Sequence, residues 1–272
     1  MINGDIRSLY LDLMKKILTN WIYGDVERKL VRFPPTLDQD IAAKVRSLGA
    51  QISVPQPFDP RKRETGRDCP QDAHTMIGLK RLDNLQYCIQ DVLASEVPGD
   101  LIETGVWRGG AAIFMRAVLR AHDIKDRNVW LADSFEGLPA PNVEKYPQDA
   151  TSPLHLFKEL AVSLERVKTN FERYGLLDEQ VKFLQGWFRD TLPRAPIEKL
   201  AVARLDGDMY ESTMDALQSL YPKLSVGGYL IVDDYGTVAA CRQAVHDYRE
   251  AHDIDEEIIS IDGWGVYWRR SH

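Results

Sequence analysis

Two stretches of the chain decide its fold: Leu200-Ala-Val-Ala-Arg-Leu-Asp-Gly-Asp208 and Tyr229-Leu-Ile-Val-Asp-Asp234. Each begins as an apolar run typical of a buried strand and ends in two aspartates. In a parallel α/β sheet, ligands bind outside the carboxyl ends of the strands, so these carboxylates should converge if the strands are neighbours. Like charges at such a short distance are costly unless a proton or a cation lies between them. The pattern therefore predicts a cation site at one edge of a parallel sheet.

Further strands and helices alternate around these two stretches. Strand-like runs occur at 101–103, 128–132 and 181–184, and helical patterns near 110–122, 153–173, 211–224 and 237–252. This alternation favours an α/β fold with a mostly parallel, Rossmann-like sheet. The runs 257–261 and 264–268 flank Asp262-Gly263, a strong signal for an antiparallel hairpin. A sheet finished by such a hairpin is typical of class I methyltransferases, whereas the Rossmann dehydrogenase sheet is parallel throughout.

The first quarter of the chain has a different character. Apolar residues at helical spacing predict an amphipathic helix over 6–22, and a second helix is expected at 37–48. Prolines and mixed charges indicate a loop over 52–71, followed by a helix over 73–94. We therefore predict an N-terminal helical extension and loop over 1–72, and a Rossmann-like methyltransferase domain over 73–272.

Composition narrows the class of protein. The 272 residues carry a net charge of -7 with no Lys/Arg-rich block, which argues against a nucleic-acid partner. No signal peptide is evident and no apolar run approaches the ~18 residues that a membrane span needs. The three cysteines, Cys69, Cys88 and Cys241, form neither a zinc pattern nor a disulfide framework. A reducing cytoplasm is the expected location.

The segment Glu103-Thr-Gly-Val-Trp-Arg-Gly-Gly110 follows the first sheet strand and opens a helix, where a nucleotide-binding loop is expected. Trp107 occupies the middle glycine position of the dinucleotide pattern G-x-G-x-x-G. Its side chain would obstruct the close approach of a pyrophosphate. S-adenosylmethionine has no phosphate and can fit around a bulkier loop. The alternative is a tight turn with glycines that only serve packing.

Two other strand ends are candidate parts of a nucleoside site. Asp133 ends the second strand, where a carboxylate is well placed to accept the ribose hydroxyls. It could instead be a helix cap or turn residue. Gly186-Trp187-Phe188 follows the third strand and could line an adenine pocket, although a lone aromatic residue is more often part of a core.

The aspartates at the two deciding strand ends suit Mg²⁺, which prefers oxygen ligands. We assign Asp206, Asp233 and Asp234 as metal ligands, and Asp206 or Asp208 as the general base for a substrate hydroxyl. The absence of histidine from these clusters disfavours zinc. The alternative is that some of them cap helices, Asp208 in particular.

Several long motifs resemble the macrocin/mycinamicin/novobiocin family of sugar O-methyltransferases from antibiotic biosynthesis. They are 9–25, 73–78, 103–110, 133–139, 206–213 and 227–235. The resemblance covers nearly the whole chain, and with that family Trp107 is expected. It implies S-adenosylmethionine as methyl donor, a required Mg²⁺, a small-molecule glycoside as acceptor, and a homodimer or higher homo-oligomer. It also implies a mobile segment near 138–153 that helps to shape the acceptor pocket.

The resemblance, together with the strand-end positions, gives a predicted set of cofactor-binding residues: Thr75, Met76, Glu103, Thr104, Gly105, Arg108, Asp133, Ser134, Gly186, Trp187, Phe188 and Asp206. The predicted activity is Mg²⁺-dependent methylation of a sugar hydroxyl on a glycosylated natural product. Two alternatives remain open. One is metal-dependent methylation of a catechol, which also offers vicinal oxygens. The other is a cofactor-binding module without catalysis, against which the intact acidic clusters argue.

Overall fold

The structure is a computed structural model and describes residues 2–30, 39–68 and 70–272. The start of the predicted helix 37–48, Cys69 and part of the predicted extension lie outside these ranges. Among the described helices, none combines the length and the apolarity that crossing a bilayer requires.

A seven-stranded sheet forms the centre of the described structure. Its strands, in chain order, are β3 (Asp100–Thr104), β4 (Val129–Asp133), β5 (Val181–Gln185), β6 (Leu200–Leu205), β7 (Leu224–Val232), β8 (Ile259–Ser260) and β9 (Val266–Arg269). They are ordered β5-β4-β3-β6-β7-β9-β8. The first five run parallel, and β9 pairs antiparallel with both β7 and β8. The predicted mostly parallel sheet with a C-terminal antiparallel hairpin is confirmed.

A separate two-stranded antiparallel ribbon lies in the N-terminal part, with strands β1 (Arg28–Leu30) and β2 (Ser53–Pro55). The α-helices are α1 (Ile2–Leu18), α2 (Gln39–Ser47), α3 (Pro60–Thr65), α4 (Leu79–Ala94), α5 (Gly110–Ala121), α6 (Leu164–Arg173), α7 (Phe188–Thr191), α8 (Tyr210–Leu220) and α9 (Ala239–Ala251). Short 3₁₀ helices occur at Gly24–Val26, Pro147–Asp149, Leu154–Leu156, Lys158–Leu160, Leu192–Arg194 and Tyr221–Lys223.

Two hydrophobic cores cover the two faces of the sheet. Alternate residues of a strand point to opposite faces, so Leu101 belongs to one core and Ile102 to the other. The first core contains α4, α5 and α6, and the second contains α8 and α9. This layering leaves the carboxyl ends of the parallel strands at one open edge.

Helix α1 shares the first core, because Leu11, Met14 and Leu18 are buried with residues of α4 and α5. The hydrogen bonds from the N–H groups of His74 and Thr75 to the carbonyl of Leu18 join its end to the segment before α4. The division at residues 72 and 73 stays a prediction.

Three element predictions need correction. The segment 52–71 contains β2 and α3, and α3 begins with a strong local signal: Asp59 accepts hydrogen bonds from the N–H groups of Arg61 and Lys62, and Pro60 occupies its first position. The helix predicted over 73–94 begins only at Leu79, after Gly78, whose extended backbone lies so close to Glu64 that a Cβ there would be 2.3 Å from its carbonyl oxygen. The helix predicted over 153–173 begins at Leu164, capped by Ser163, after two 3₁₀ turns.

Candidate active site

A cleft with an empty volume of about 720 Å³ opens at the carboxyl ends of β3, β4, β5 and β6. One wall consists of the loops that follow β3, β4 and β5. The opposite wall consists of the Asp206-Gly-Asp208 turn and the first turns of α8. The lining residues are Met76, Gly105, Trp107, Asp133, Ser134, Gly137, Leu138, Pro139, Leu160, Gly186, Trp187, Phe188, Arg189, Asp206, Gly207, Asp208, Glu211, Ser212 and Asp215.

The loop after β3 is shaped by a close approach between two strand ends. A Cβ atom on Gly105 would lie 1.7 Å from the carbonyl oxygen of Asp206, so only glycine fits there. Trp107 adopts a left-handed backbone conformation with φ of 46°, which is unusual for a bulky residue. Its indole Nε1 donates to the carbonyl of Glu159 at 3.0 Å, so the side chain reaches across to the segment that covers the cleft.

Asp133 ties the loops after β3 and β4 together. Its Oδ2 accepts from the N–H of Val106 at 2.7 Å, and its Oδ1 accepts from the N–H of Phe135 at 2.7 Å. Burial raises the pKa of this carboxyl, while the backbone hydrogen bonds act in the opposite direction. The turn role that the sequence left open is therefore present. Ser134 Oγ also lies 3.5 Å from Oδ1, and the predicted ribose contact stays a prediction.

The structure brings most of the predicted cofactor-binding residues to the cleft and leaves others behind it. Eight of them line it: Met76, Gly105, Asp133, Ser134, Gly186, Trp187, Phe188 and Asp206. Thr75 and Thr104 are buried, and Arg108 donates to the carbonyls of Gln71 and Ala73. Glu103 lies in an ion-pair network under the cleft.

Arg204 is the centre of that network. It is fully buried on β6, and its Nη1 donates to Glu103 Oε1 at 2.7 Å and to Asp206 Oδ2 at 2.8 Å. Its Nη2 donates to Asp233 Oδ1. These carboxylates raise the pKa of the guanidinium well above its usual value, against the opposing effect of burial. One arginine thus joins carboxylates from three neighbouring strand ends.

Arg81 extends the network to the end of the chain. From the first turn of α4, its Nη1 donates to Asp233 Oδ2, and its Nε lies 3.1 Å from Asp262 Oδ2. The predicted Asp262-Gly263 turn is in fact part of a five-residue connection, 261–265, between the paired residues of β8 and β9. Asp262 shapes it by accepting from the N–H groups of Trp264 and Gly265.

Three carboxylates lie together without an arginine between them. Oxygen atoms of Asp206, Asp208 and Asp234 lie within 4.8 Å of one another. Burial and then Asp206 raise the pKa of Asp208 to about 7. Burial and then Asp208 raise the pKa of Asp234 well above its usual range. Such a cluster favours a bound proton or cation, as the sequence predicted.

The spatial cluster differs from the predicted ligand set in one residue. Asp206 and Asp234 belong to both, but Asp208 lies in the cluster where Asp233 was expected. Both oxygens of Asp233 already accept from Arg81 and Arg204. Because a carboxylate offers about four acceptor positions, Asp233 still has one free on each oxygen.

A long connection, residues 137–161, covers the cleft. Its two ends meet, because a Cβ on Gly137 would lie 3.3 Å from the Cβ of Ala161. Asp149 anchors its middle: Oδ1 accepts from the N–H of Tyr210 at 2.7 Å and Oδ2 from the N–H of Glu211 at 3.0 Å. Asp149 therefore caps α8, whose own N-cap residue is Met209. Leu138, Pro139 and Leu160 of this connection line the cleft.

Sequence reasoning missed the wall that α8 provides. Glu211, Ser212 and Asp215 line the cleft, as does Arg189 of α7. A signal was available, since Asp208, Glu211, Ser212 and Asp215 have the i, i+3, i+4, i+7 spacing of one helix face. The sequence showed that Trp107 replaces a glycine of the dinucleotide pattern, but not that it lines the cleft.

Solved structures define the class of protein. The crystal structure of CalS11, a calicheamicin methyltransferase, is 19% identical, covers 88% of this chain and 95% of that one, and superposes with a TM-score of 0.57. At this identity the likeness shows the fold alone, a methyltransferase fold. The O-methyltransferase NovP is far more similar: 51% identity over 98% of this chain and 100% of that one, with a TM-score of 0.85.

The family follows from the sequence comparisons. Residues 7–270 match the family described as Macrocin-O-methyltransferase (TylF). A tetracenomycin 4'-O-methyltransferase from Streptomyces olivaceus, which acts on a rhamnosyl derivative, is 55% identical over 98% of this chain and 94% of its own. The mycinamicin III 3''-O-methyltransferase from Micromonospora griseorubida is 51% identical over 97% of both chains. The chain belongs to the macrocin O-methyltransferase family and is an S-adenosylmethionine-dependent O-methyltransferase.

Proposed function

We propose that this enzyme methylates a sugar hydroxyl on a glycosylated natural product, with Mg²⁺ as the required metal. The observation that carries the proposal is the open carboxylate cluster at one wall of the cleft. It lies next to the loops that are predicted to bind the methyl donor. The named acceptor of the 55% identical relative, a rhamnosyl tetracenomycin, supplies the acceptor class.

The donor set of the cluster fits Mg²⁺, since it consists of carboxylate oxygens. The proposed ligands are Asp206, Asp233 and Asp234. When bound, the metal would act as a Lewis acid that lowers the pKa of a substrate hydroxyl and orients it. Asp233 would contribute the free lone pairs that its two arginine partners leave.

Asp208 is the proposed general base. It lines the cleft, whereas Asp233 and Asp234 do not, and a base must lie within hydrogen-bond reach of its proton. When bound, S-adenosylmethionine would supply the methyl group to the deprotonated oxygen, its C–S bond would break, and S-adenosylhomocysteine would leave as the neutral thioether. Positioning of the two reactants supplies much of the rate.

The metal requirement is tested by removing divalent ions with EDTA and restoring Mg²⁺. Transfer of a labelled methyl group to the rhamnosyl tetracenomycin should stop and then recover. Wild-type rates in EDTA, or in Asp206→Ala, would disprove the metal mechanism. A catechol assayed beside the glycoside separates the two acceptor classes, because only the glycoside should be methylated.

The third ligand is tested by binding rather than by turnover. The affinity of Mn²⁺ is measured by electron paramagnetic resonance for Asp208→Asn and Asp233→Asn. We expect Asp233→Asn to weaken binding strongly and Asp208→Asn to leave most of it while abolishing methyl transfer. The reverse result would make Asp208 the ligand.

The remaining parts of the proposal concern assembly and location. Helix α1 exposes Ile6, Leu9, Leu13 and Ile17, an apolar face that suits a contact with a second copy in a homodimer or larger homo-oligomer. Sedimentation of the wild type and of Leu9→Lys tests this. Cys88 and Cys241 are buried free thiols, which supports a reducing cytoplasm.

A further inference from the structure

The connection between β8 and β9, residues 261–265, packs against the chain that follows β7, close to Asp233. The N–H of Gly236 donates to the carbonyl of Trp264 at 2.7 Å. A Cβ atom on Gly236 would lie 2.1 Å from the carbonyl oxygen of Gly263, so the two segments touch and leave no room for a side chain. The C-terminal hairpin is therefore in direct contact with the segment that carries the second acidic cluster.

Two buried contacts in series join this connection to Asp233. The side chain of Asp262 is fully buried, and its Oδ2 lies 3.1 Å from Nε of Arg81, whose side chain is 5% exposed. Neither of these two atoms has a hydrogen-bond partner among the described residues, so each depends on this ion pair. Arg81 Nη1 donates in turn to Asp233 Oδ2. Asp262 therefore acts on Asp233 through a single guanidinium group.

Arg81 has little freedom to move between its two carboxylates. Its Nη2 donates to the carbonyl of Thr65 at 3.3 Å, and a Cβ atom on Gly265 would lie 3.0 Å from its Cδ. Its guanidinium carbon also lies 5.7 Å from the centre of the Trp264 ring, within the range of a cation–π contact. Because a planar guanidinium donates in fixed directions, these contacts fix the direction from which Arg81 reaches Asp233.

The other oxygen of Asp233 is held by a different arginine, since Oδ1 accepts from Arg204 Nη2. With one arginine on each oxygen, the plane of the carboxylate is set, and so is the direction of the lone pairs that remain free. Outer partners orient metal ligands in this way, because a ligating carboxylate is itself held by hydrogen bonds. The arrangement around Asp233 has the form of such an outer shell.

We propose that Asp262, acting through Arg81, is a positioning residue that orients Asp233 for a divalent cation. The inference rests on the proposed function, in which Asp233 is a metal ligand. It adds that the connection of the C-terminal hairpin, which does not line the cleft, contributes to the metal site from behind.

Asp262→Asn breaks the link to Arg81 and keeps the turn. The N–H groups of Trp264 and Gly265 both donate to Asp262 Oδ1, so they hold the amide oxygen of the new asparagine in that place. The amide NH₂ group then faces Arg81 Nε, and two donors oppose each other. Arg81→Lys breaks the same link without a change of net charge, because an ammonium group cannot contact two carboxylates in the planar geometry of a guanidinium.

The affinity for Mn²⁺, measured by electron paramagnetic resonance, reports on the metal site without any turnover. Loss of an outer partner typically weakens metal affinity by about 10–100-fold, so we expect a loss of at least about tenfold in Asp262→Asn and in Arg81→Lys. The affinity for S-adenosylhomocysteine, measured by calorimetry in metal-free buffer, should be unchanged, because neither residue lines the cleft. A merely structural role would weaken the binding of both probes.

The matched control is Ser260→Ala. Ser260 Oγ accepts from the N–H of Gly263 at 3.2 Å, so this variant removes a hydrogen bond from the same hairpin without removing a contact of Arg81. It should bind Mn²⁺ and S-adenosylhomocysteine as the wild type does. Asp233→Asn is measured beside it, because its loss of Mn²⁺ affinity shows that Asp233 is a ligand.

The inference alone is overturned if Asp233→Asn binds Mn²⁺ weakly while either Asp262→Asn or Arg81→Lys loses less than about threefold, well short of the effect of an outer partner. It is also overturned if these two variants lose affinity for Mn²⁺ and S-adenosylhomocysteine in parallel, or if Ser260→Ala weakens Mn²⁺ binding equally. Wild-type Mn²⁺ affinity in Asp233→Asn, or no Mn²⁺ binding by the wild type, contradicts the proposed metal site itself, and the inference fails with it.

Discussion

Two groups of carboxylates lie at the same edge of the sheet and differ in how their charge is balanced. Glu103 and Asp233 are held by guanidinium groups of Arg204 and Arg81. Asp208 and Asp234 approach each other and Asp206 with no arginine between them. The first group is paired with arginines, although burial still raises the pKa of Glu103 to about 8 against the effect of Arg204, whereas the second group has no such partner among the described residues. Compensation thus separates carboxylates that hold the structure together from carboxylates that are available for chemistry.

Asp206 belongs to both groups, since one of its oxygens accepts from Arg204 while the residue also lines the cleft. It therefore connects the paired network to the open cluster. Removing a partner from the paired network should reduce stability, because a buried charge then remains alone. Removing a carboxylate from the open cluster should reduce activity and spare stability.

The largest expected effect is on the stability of Arg204→Met. Three carboxylates lose their shared guanidinium, and breaking a buried ion pair from one side costs ~3–5 kcal/mol. The free energy of unfolding is measured by urea denaturation. Arg204→Lys keeps the charge but loses the planar guanidinium group, so its free energy of unfolding should lie between those of Arg204→Met and the wild type. Neutral surface substitutions change the free energy of unfolding by up to ~0.5 kcal/mol. A value for Arg204→Met within that range of the wild type would contradict the contrast between the two carboxylate groups.

The next effect is on the activity of Asp234→Asn. Loss of a carboxylate from the proposed metal and base cluster should slow methyl transfer by about 100-fold or more. In metal-free buffer its thermal unfolding midpoint should equal or exceed that of the wild type, because neighbouring aspartates disfavour this charge. A midpoint several degrees lower, with activity retained, would reverse the assignment of the two groups.

Asp149 offers an intermediate case, since its buried charge is balanced by two backbone N–H groups of α8. Asp149→Ala removes a helix cap, which typically costs ~1 kcal/mol. It also releases the connection over the cleft. We expect a modest loss in urea denaturation and a higher KM for the acceptor, with Asp149→Asn closer to the wild type. An unchanged KM in Asp149→Ala would show that this anchor does not shape the cleft.

The smallest expected effects concern the pH dependence of stability, and they should have opposite signs for Asp178 and Asp215. Hydrogen bonding to Arg116 lowers the pKa of Asp178. The folded state then binds this proton less readily than the unfolded state, so the stabilisation is present above the usual pKa and is lost as pH falls. Asp178→Asn should therefore be slightly less stable than the wild type at pH 7, with the gap closing as pH falls below about 4.

Burial and then Glu211 raise the pKa of Asp215 to about 6. Here the folded state binds the proton more readily, so the wild type loses stability as pH rises from about 4 to about 6. Asp215→Asn should become slightly more stable than the wild type over that interval and stay so at pH 7. Urea denaturation of both variants at several pH values provides the check. If the stabilities of both variants differ from that of the wild type in the same direction, the distinction between paired and unpaired carboxylates fails.

Strand positions and their neighbours were predictable because they depend on local patterns. The apolar runs that end at Leu205 and Val232 are adjacent parallel strands. Glu103, one residue before the end of β3, and Asp133, the last residue of β4, lie at the ends of neighbouring strands. The hairpin at the C-terminus is confirmed although its connection is longer than the Asp-Gly signal indicated. Helix starts were less predictable: α4 begins only after Gly78, which packs closely on the carbonyl of Glu64.

The sequence by itself determined an α/β sheet with aspartates at its carboxyl edge, because strand period and chain direction are local properties. It could not determine which aspartates are balanced. Arg81 meets Asp233 across 152 positions of the chain, and Asp149 caps a helix 61 positions away. Charge compensation depends on distances of a few ångströms between such remote residues. Only the tertiary structure therefore decided that Asp233 is held by two arginines while Asp208 and Asp234 have no arginine partner among the described residues.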